Sequence, residues 1–289
     1  MKVSGKEVAD AIAKKLQEEV SELEVKPTLA IILAGDSPAS RIYVNNKIKR
    51  AEEIGVDALL FKFPKNQFNE CLQKIGELNE DSNVHGIIIQ FPVYEGWDFD
   101  ELITKVIPQK DVDGFLPNSS FKGATALGVW EMLAAFARLE GFTKTEDFLR
   151  GKSVALLGKG KTAGGPIRNL LKEKNIPFTL IDSKTENPDE IIKNADVIIS
   201  ATGRKHIITG EKIKKGSFVI GVGVGKELVD SEEKTFGDID EESISNKAKY
   251  YCPTIGGIGP LTIVCLLRNV ISGACLFQKK KLESASRES

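Results

Sequence analysis

The sequence predicts an α/β protein of two domains, and three observations carry that prediction. Helical and strand patterns alternate along the chain, as they do where parallel strands are joined by crossover helices. The strands are short, continuous apolar runs rather than alternating ones, which is the mark of strands buried on both faces. The chain has 289 residues, 41% of them hydrophobic. That is enough for a buried core, and the length favours two domains over one.

The elements follow in order. In the first stretch (MKVSGKEVADAIAKKL), Val8, Ile12 and Leu16 recur at helical spacing. The run Thr28 to Leu33 (TLAIIL) reads as a buried strand closed by a turn at Ala34-Gly35-Asp36. A helix is predicted from about Ser40 to Ile54, a strand near Ala58 to Phe63 and a helix from about Phe68 to Leu78. The strand Val84 to Gln90 ends at Phe91-Pro92. A helix over Leu127 to Leu139 precedes a second series, with strands at Ser153–Leu157, Phe178–Asp182, Asp196–Ala201 and Ser217–Val222. A last apolar segment, Pro260 to Phe277, reads as a helix that packs back on the first domain. The expected division is therefore 1–120 plus 260–282 for one α/β domain and 121–259 for the other, with a cleft between them. Residues 283–289 are expected to be a disordered polar tail.

Charge and cysteine content exclude several classes. With 40 basic and 41 acidic residues, the balance gives no reason to expect nucleic acid or an anionic membrane as partner. No apolar run reaches the roughly 18 residues of a membrane span, and the first residues lack the apolar core of a signal peptide. A cytoplasmic location is the expectation. Cys71, Cys252, Cys265 and Cys275 have spacings that suit neither a zinc site nor a disulfide framework, so they read as buried thiols. His85 and His206 are too scattered for a metal cluster. No metal is expected.

Gly158-Lys159-Gly160 follows a predicted strand, and Gly164-Gly165-Pro166 opens a helix. Glycines let the backbone approach a pyrophosphate, and a helix N-terminus supplies N–H donors and the positive end of a dipole. The second domain is therefore read as Rossmann-like. The spacing is not GxGxxG, so a plain glycine-rich turn is the competing reading. Asp182 ends the following strand, where an acidic residue accepts from adenosine ribose hydroxyls and disfavours a 2′-phosphate. Lys159, Ser183 and Lys184 lie close in sequence and suit a phosphate. The choice between NAD and NADP stays open here, leaning to NAD. A turn or helix-capping carboxylate is the structural alternative for Asp182.

Three features of the first half look chemical. Tyr43 and Lys47 are four residues apart on a predicted helix and project from one face. Gln90 closes a parallel strand, at the edge where open α/β sheets bind ligands. Asp111 and Asp113 flank Val112 in a turn that ends at Gly114. Each has a bland reading by itself: a helix rim, a strand-closing amide, an Asp-rich turn.

Together, these residues resemble the bifunctional methylenetetrahydrofolate dehydrogenase/methenyltetrahydrofolate cyclohydrolase family. The resemblance runs from about residue 5 to 278 in ordered blocks. They are Ala34-Gly35-Asp36-Ser37-Pro38-Ala39-Ser40 with Tyr43-Val44, Lys47, Lys49 and Gly55; His85 to Pro92; Pro108 to Phe115; Ala201-Thr202-Gly203 with Gly237 to Asp240; and Gly256 to Thr262.

The resemblance implies Lys47 as catalytic lysine, Tyr43 as the aromatic that stacks on the pterin, Gln90 as the lysine's hydrogen-bond partner and Asp113 as the carboxylate gripping the pterin. It places Val44, Phe91, Pro92, Gly256, Gly257, Gly259 and Pro260 against folate. It assigns cofactor contacts to Thr125, Thr262 and the loop Gly158-Lys159-Gly160; Asp182, Ser183, Ala201, Thr202, Val222 and Val224 are further expected contacts of the cofactor. It further implies NADP or NAD as cofactor, oxidation of methylenetetrahydrofolate followed by hydrolysis of the methenyl product, and a homodimer.

The sequence departs from the family at Gly123-Ala124-Thr125-Ala126, Lys159-Gly160, Asp182, Gly221 and Ile255. Four of these lie on the cofactor side. Replacing a guanidinium fork by Lys159 removes bidentate phosphate geometry. Two alternatives follow: a hydrolase with a degenerate nucleotide domain, and a non-catalytic folate-binding protein.

Overall fold

The structure, a computed structural model, describes residues 1–229 and 232–288. The chain divides into two compact units: Ala11–Ala124 with Ile263–Ser289, and Met1–Asp10 with Thr125–Thr262.

In the first of these units, β1 (Thr28–Leu33), β2 (Asp57–Lys62) and β3 (Gly86–Ile89) form a three-stranded parallel sheet in the order β2-β1-β3. Every residue of β3 and all but the first of β1 are buried, which explains their unbroken apolar runs. The edge strand β2 is only partly covered. One sheet face, with Ala30, Ile32, Ile87 and Ile89, packs with Cys71, Ile75 and Leu78 of α3 (Phe68–Glu80) and Phe99, Leu102 and Ile103 of α4 (Phe99–Lys105). Helix α2 (Pro38–Ile54) links β1 to β2. Its C-terminus is closed by Gly55 in the left-handed conformation, whose N–H returns to Ala51 and Glu52 carbonyls.

The second unit holds a five-stranded parallel sheet in the order β10-β7-β6-β4-β5, from β4 (Val154–Leu157), β5 (Thr179–Ile181), β6 (Val197–Ser200), β7 (Phe218–Gly221) and β10 (Tyr250–Cys252). Helices α5 (Ala124–Leu139), α6 (Thr145–Leu149), α7 (Gly164–Glu173), α8 (Pro188–Asn194) and α9 (Glu241–Ser245) precede, separate and follow these strands along the chain. An antiparallel hairpin, β8 (Val224–Val229) with β9 (Glu232–Gly237), follows β7. Its core gathers Ala155, Leu157, Ile198, Val219, Ile239 and Tyr251.

The strands and helices read from the sequence recur within a few residues of their expected ends, except that the last helix runs well past Phe277. The hairpin and β10 were missed for physical reasons. The hairpin carries Lys226, Glu227 and Lys234 and lacks an apolar alternation, while β10 is three residues long. The first helix, α1 (Gly5–Ser21), buries Ala9, Ala13 and Leu16, with Val8 and Ile12 only half-buried, so its inward face is turned from the one expected. Residues 1–10, expected with the first domain, group with the five-stranded sheet. Val3 N–H donates to Tyr251 O at 2.9 Å, Tyr251 N–H to Met1 O at 3.0 Å and Lys6 N–H to Gly256 O at 2.9 Å.

Helix α10 (Ile258–Glu288) continues through most of the segment expected as a disordered tail, Ser289 lying outside the described residues. Lys, Leu, Glu, Ala and Arg there are good helix formers, which a reading based on polarity overlooks. No uninterrupted apolar run in the sequence is as long as a membrane span, but one helix of mixed composition is long and apolar enough on average. Ile258–Gln278 is long and apolar enough by length and composition, and 67% of its apolar window is buried inside the protein. Arg268, Asn269 and Ser272 interrupt its apolar residues.

Cys71, Cys252 and Cys265 are buried free thiols and Cys275 is half-buried. Burial pushes the Cys71 thiol up to about 12.

Candidate active site

Helix α2 buries a seam of Ser40, Val44, Lys47, Ala51 and Ile54, spaced by three and four residues. Lys47 thus occupies a position where helical periodicity calls for an apolar side chain, and it is 4% exposed. Gln90, immediately after β3, extends the ladder through its N–H to Ile32 O at 2.9 Å. Lys47 Nζ donates to Gln90 Oε1 at 3.0 Å, and Gln90 Nε2 donates to Phe91 O at 2.7 Å. The second bond fixes the orientation of the amide, because its NH₂ end is used by the carbonyl and its oxygen faces the amine. Tyr43, one turn earlier on α2, has its ring centroid 5.0 Å from Lys47 Nζ, within cation–π range.

The turn Lys110 to Gly114 is held from three sides. Lys110 is 1% exposed, and its Nζ donates to Leu78 O at 2.8 Å and Asp81 O at 2.7 Å. The Asp111 carboxylate accepts from Leu116 N–H at 2.8 Å and Phe115 N–H at 3.3 Å. Asn269 of α10 donates through Nδ2 to Val112 O at 2.9 Å and Lys122 O at 3.0 Å. Lys110 and Asp111 are therefore consumed by the backbone, and Asp113 is the carboxylate of this turn that couples electrostatically to Lys47.

Desolvation pushes the Lys47 amine below the ordinary lysine range, with Asp113 partly opposing it. Desolvation likewise raises the Asp113 carboxyl, with Lys47 pulling it back and Asp111 adding to the rise. An amine with a weakened hold on its proton, oriented by a neutral amide beside one carboxylate and an aromatic plate, can exchange a proton with a bound molecule.

In the other unit, β4 runs into Gly158, and α7 begins at Gly164. Gly158 has φ +95°, and a Cβ there would lie 2.3 Å from Ala201 O. Gly164 packs so that a Cβ would lie 2.4 Å from Gly158 O. Only glycine allows this turn to fold tightly against both the β6 end and the start of α7.

A cavity of about 350 Å³ opens beside it, lined by Gly158, Lys159, Gly160, Asp182, Ser183, Ala201 and Thr202 among others. The loop, the N-terminus of α7 and the acid at the end of β5 fit a dinucleotide. Lys159 Nζ lies 2.7 Å from Asp182 Oδ2. Behind the wall, buried Asp238 accepts from Ser200 Oγ at 2.7 Å, Thr202 N–H at 2.8 Å, Thr202 Oγ1 at 3.0 Å and Arg204 N–H at 3.0 Å.

The structure brings Lys47, Gln90 and Tyr43 together, with Asp113 coupled to the lysine. Val44 is buried in the α2 seam, while Phe91 is 49% exposed and stacks edge-on against Phe99. Phe91-Pro92 is a cis peptide. Seven of the expected cofactor residues line the cavity; Thr125, Val222, Val224 and Thr262 lie outside its lining. Val224 opens the hairpin and is 56% exposed, and Thr262 Oγ1 is turned back to Ile258 O at 3.1 Å. Gly256, Gly257, Gly259 and Pro260 lie around the start of α10.

Sequence reasoning missed the lining residues Asp189, Arg204 and Lys212 and the anchors Asp238 and Asn269. Arg204 directly follows Thr202-Gly203, and that adjacency was the available signal. Asn269 was hidden in an apolar helix.

Residues 3–113 match the tetrahydrofolate dehydrogenase/cyclohydrolase catalytic domain and residues 123–278 the NAD(P)-binding domain of the same name. The bifunctional protein FolD of Rickettsia bellii is 37% identical over 284 residues, covering 93% of this chain and 96% of the relative. That of Lactobacillus acidophilus is 36% identical over 282 residues, covering 93% and 95%. Among solved structures, the Campylobacter jejuni bifunctional enzyme FolD superposes with TM-score 0.85 at 33% identity, covering 95% of this chain and 98% of that one. The Trypanosoma brucei enzyme, complexed with NADP cofactor and inhibitor, superposes with TM-score 0.86 at 30% identity, covering 97% and 98%.

Proposed function

The chain belongs to the tetrahydrofolate dehydrogenase/cyclohydrolase family, and from that premise we propose that it is a two-activity folate enzyme. It oxidises 5,10-methylenetetrahydrofolate to the 5,10-methenyl compound with a nicotinamide dinucleotide, then hydrolyses that product to 10-formyltetrahydrofolate. The observation that carries the reading is the buried Lys47 amine held by Gln90 at 3.0 Å.

Asp113 accepts hydrogen bonds from the N–H groups of the pterin, and Tyr43 stacks on its ring. The nicotinamide, when bound, supplies the hydride acceptor. Hydride transfer asks the protein for position rather than acid–base chemistry. Hydrolysis asks for more. Water adds to the methenyl carbon and gives up both its protons as the carbonyl forms: one is released with the cation's charge, and as the bond from that carbon to N5 breaks N5 gains the other. Lys47 relays that proton, because burial has weakened its hold on its own. Gln90 orients the amine without adding charge that would restore its basicity. The cavity beside Gly158 takes the dinucleotide, its pyrophosphate on the N-terminus of α7.

Lys47→Met tests the reading. It should abolish methenyl hydrolysis while folate still binds; normal hydrolysis in that variant would overturn it. The family resemblance also supports a cytoplasmic homodimer, and sedimentation of the purified protein at twice the protomer mass would agree with the dimer.

A further inference from the structure

We infer that Asp182 makes this enzyme select NAD over NADP, by filling the place of a 2′-phosphate with a carboxylate and neutralising the cation that would bind one. The inference rests on the reading that the cavity beside Gly158 takes a nicotinamide dinucleotide.

Strand order locates the adenosine ribose. In a doubly wound sheet the pyrophosphate sits on the glycine-rich loop after the first strand, and the ribose lies over the end of the strand that follows in the chain. Here those are β4 with Gly158 and β5, which pair in parallel from Ala155↔Thr179 to Leu157↔Ile181. Asp182 is the first residue past β5, and Gly158 N–H donates to Ile181 O at 2.9 Å. The carboxylate therefore stands one strand over from the phosphate loop, in the cavity wall.

It is also held in place. Lys184 N–H donates to Oδ1 at 2.9 Å, and Asp182 N–H donates to Thr185 Oγ1 at 2.9 Å. Lys159 Nζ lies 2.7 Å from Oδ2. Lys159 and the Lys184 amide hold this group below the usual carboxylate range, so it is ionised at neutral pH.

The charges lining the cavity settle the sign. They are Lys159, Asp182, Asp189, Arg204 and Lys212. Lys159 is matched by Asp182, and Lys212 by Asp189 at 3.0 Å. Arg204 follows β6, on the opposite side of β4 from the ribose position. A 2′-phosphate carrying nearly two negative charges would meet a carboxylate, and Lys159, the cation paired with that carboxylate, is already engaged. A ribose diol meets the reverse situation: an ionised carboxylate has about four acceptor sites, and the two strong protein donors leave room for two hydroxyls. Lys159 steadies Asp182 in this arrangement instead of binding phosphate, and as a single point charge it lacks the fork that would compete for one.

The test is titration of the purified protein with NADH and with NADPH, read by nicotinamide fluorescence, in wild type, Asp182→Asn, and Asp182→Asn with Lys159→Met. Asn keeps an acceptor for Lys184 N–H, so the turn is retained while the charge is removed. Wild type should bind NADH on the order of tenfold or more tighter than NADPH. Asp182→Asn should move that ratio toward NADPH by on the order of tenfold, through the released Lys159. Adding Lys159→Met should take that gain back. Tight binding of both dinucleotides without preference, or a ratio unmoved by Asp182→Asn, overturns the inference and leaves the dinucleotide reading standing. Binding of neither overturns both.

Discussion

Lys47 sits in the apolar seam of α2, where water does not stabilise its charged form. Its desolvation gives the sign of two pH effects. Its proton affinity in the folded chain lies below the unfolded value, so folding releases a proton between the depressed pKa and the ordinary 10.5. Stability gained above that window is lost as pH falls through the folded pKa. Denaturant titrations of the wild type should show stability rising as the pH approaches 10.5, and Lys47→Met should flatten that rise. Gln90→Glu probes the same amine in the opposite direction. A carboxylate 3.0 Å from Nζ raises the lysine pKa. The pH profile of methenyl hydrolysis should therefore move to higher pH by about a unit or more, with a marked loss of rate at neutral pH. An unchanged profile would remove Lys47 from the proton path.

At the scale of elements, the folate half depends on a turn that has no regular structure of its own. Lys110, Asp111 and Asn269 hold it by tying side chains to backbone, and Asn269 reaches it from α10, far away in sequence. The same helix closes on the start of β3, where a Cβ at Gly273 would lie 2.7 Å from His85 O. Asn269→Ala leaves the Val112 and Lys122 carbonyls without this donor. We expect a loss of about 1–3 kcal/mol in denaturant titration, together with a raised KM for folate as Asp113 loses its support. A fall in stability with KM unchanged would show that the anchor serves folding alone.

At the scale of the molecule, the proposed reading gives hydrolysis to one unit and makes oxidation depend on the nucleotide unit as well. Lys47, Gln90 and Asp113 belong to the unit Ala11–Ala124 with Ile263–Ser289, and the glycine loop belongs to the other. Gly158→Val places a branched side chain at φ +95° and against the Ala201 carbonyl. It should abolish dinucleotide binding and methylene oxidation while methenyl hydrolysis keeps at least about half its rate, since the hydrolytic groups lie outside the loop. Equal loss of both activities, with circular dichroism unchanged, would show that hydrolysis depends on the nucleotide unit.

The apolar runs of β1, β3, β4, β6 and β7 announced two parallel sheets by themselves, because strands buried on both faces have no polar residues to break the pattern. The spacing of Tyr43 and Lys47 announced a shared face, because helical periodicity acts over four residues. The site as a set was legible only through the family resemblance. What tertiary structure alone decided depends on contacts between distant segments. That Lys110 and Asp111 serve the backbone while their neighbour Asp113 couples to Lys47, that the first ten residues join the five-stranded sheet, and that Lys159 is spent on Asp182 all follow from burial and pairing. Neighbours in sequence carry no record of either, since desolvation and ion pairing are set by what folds against a residue and not by what adjoins it.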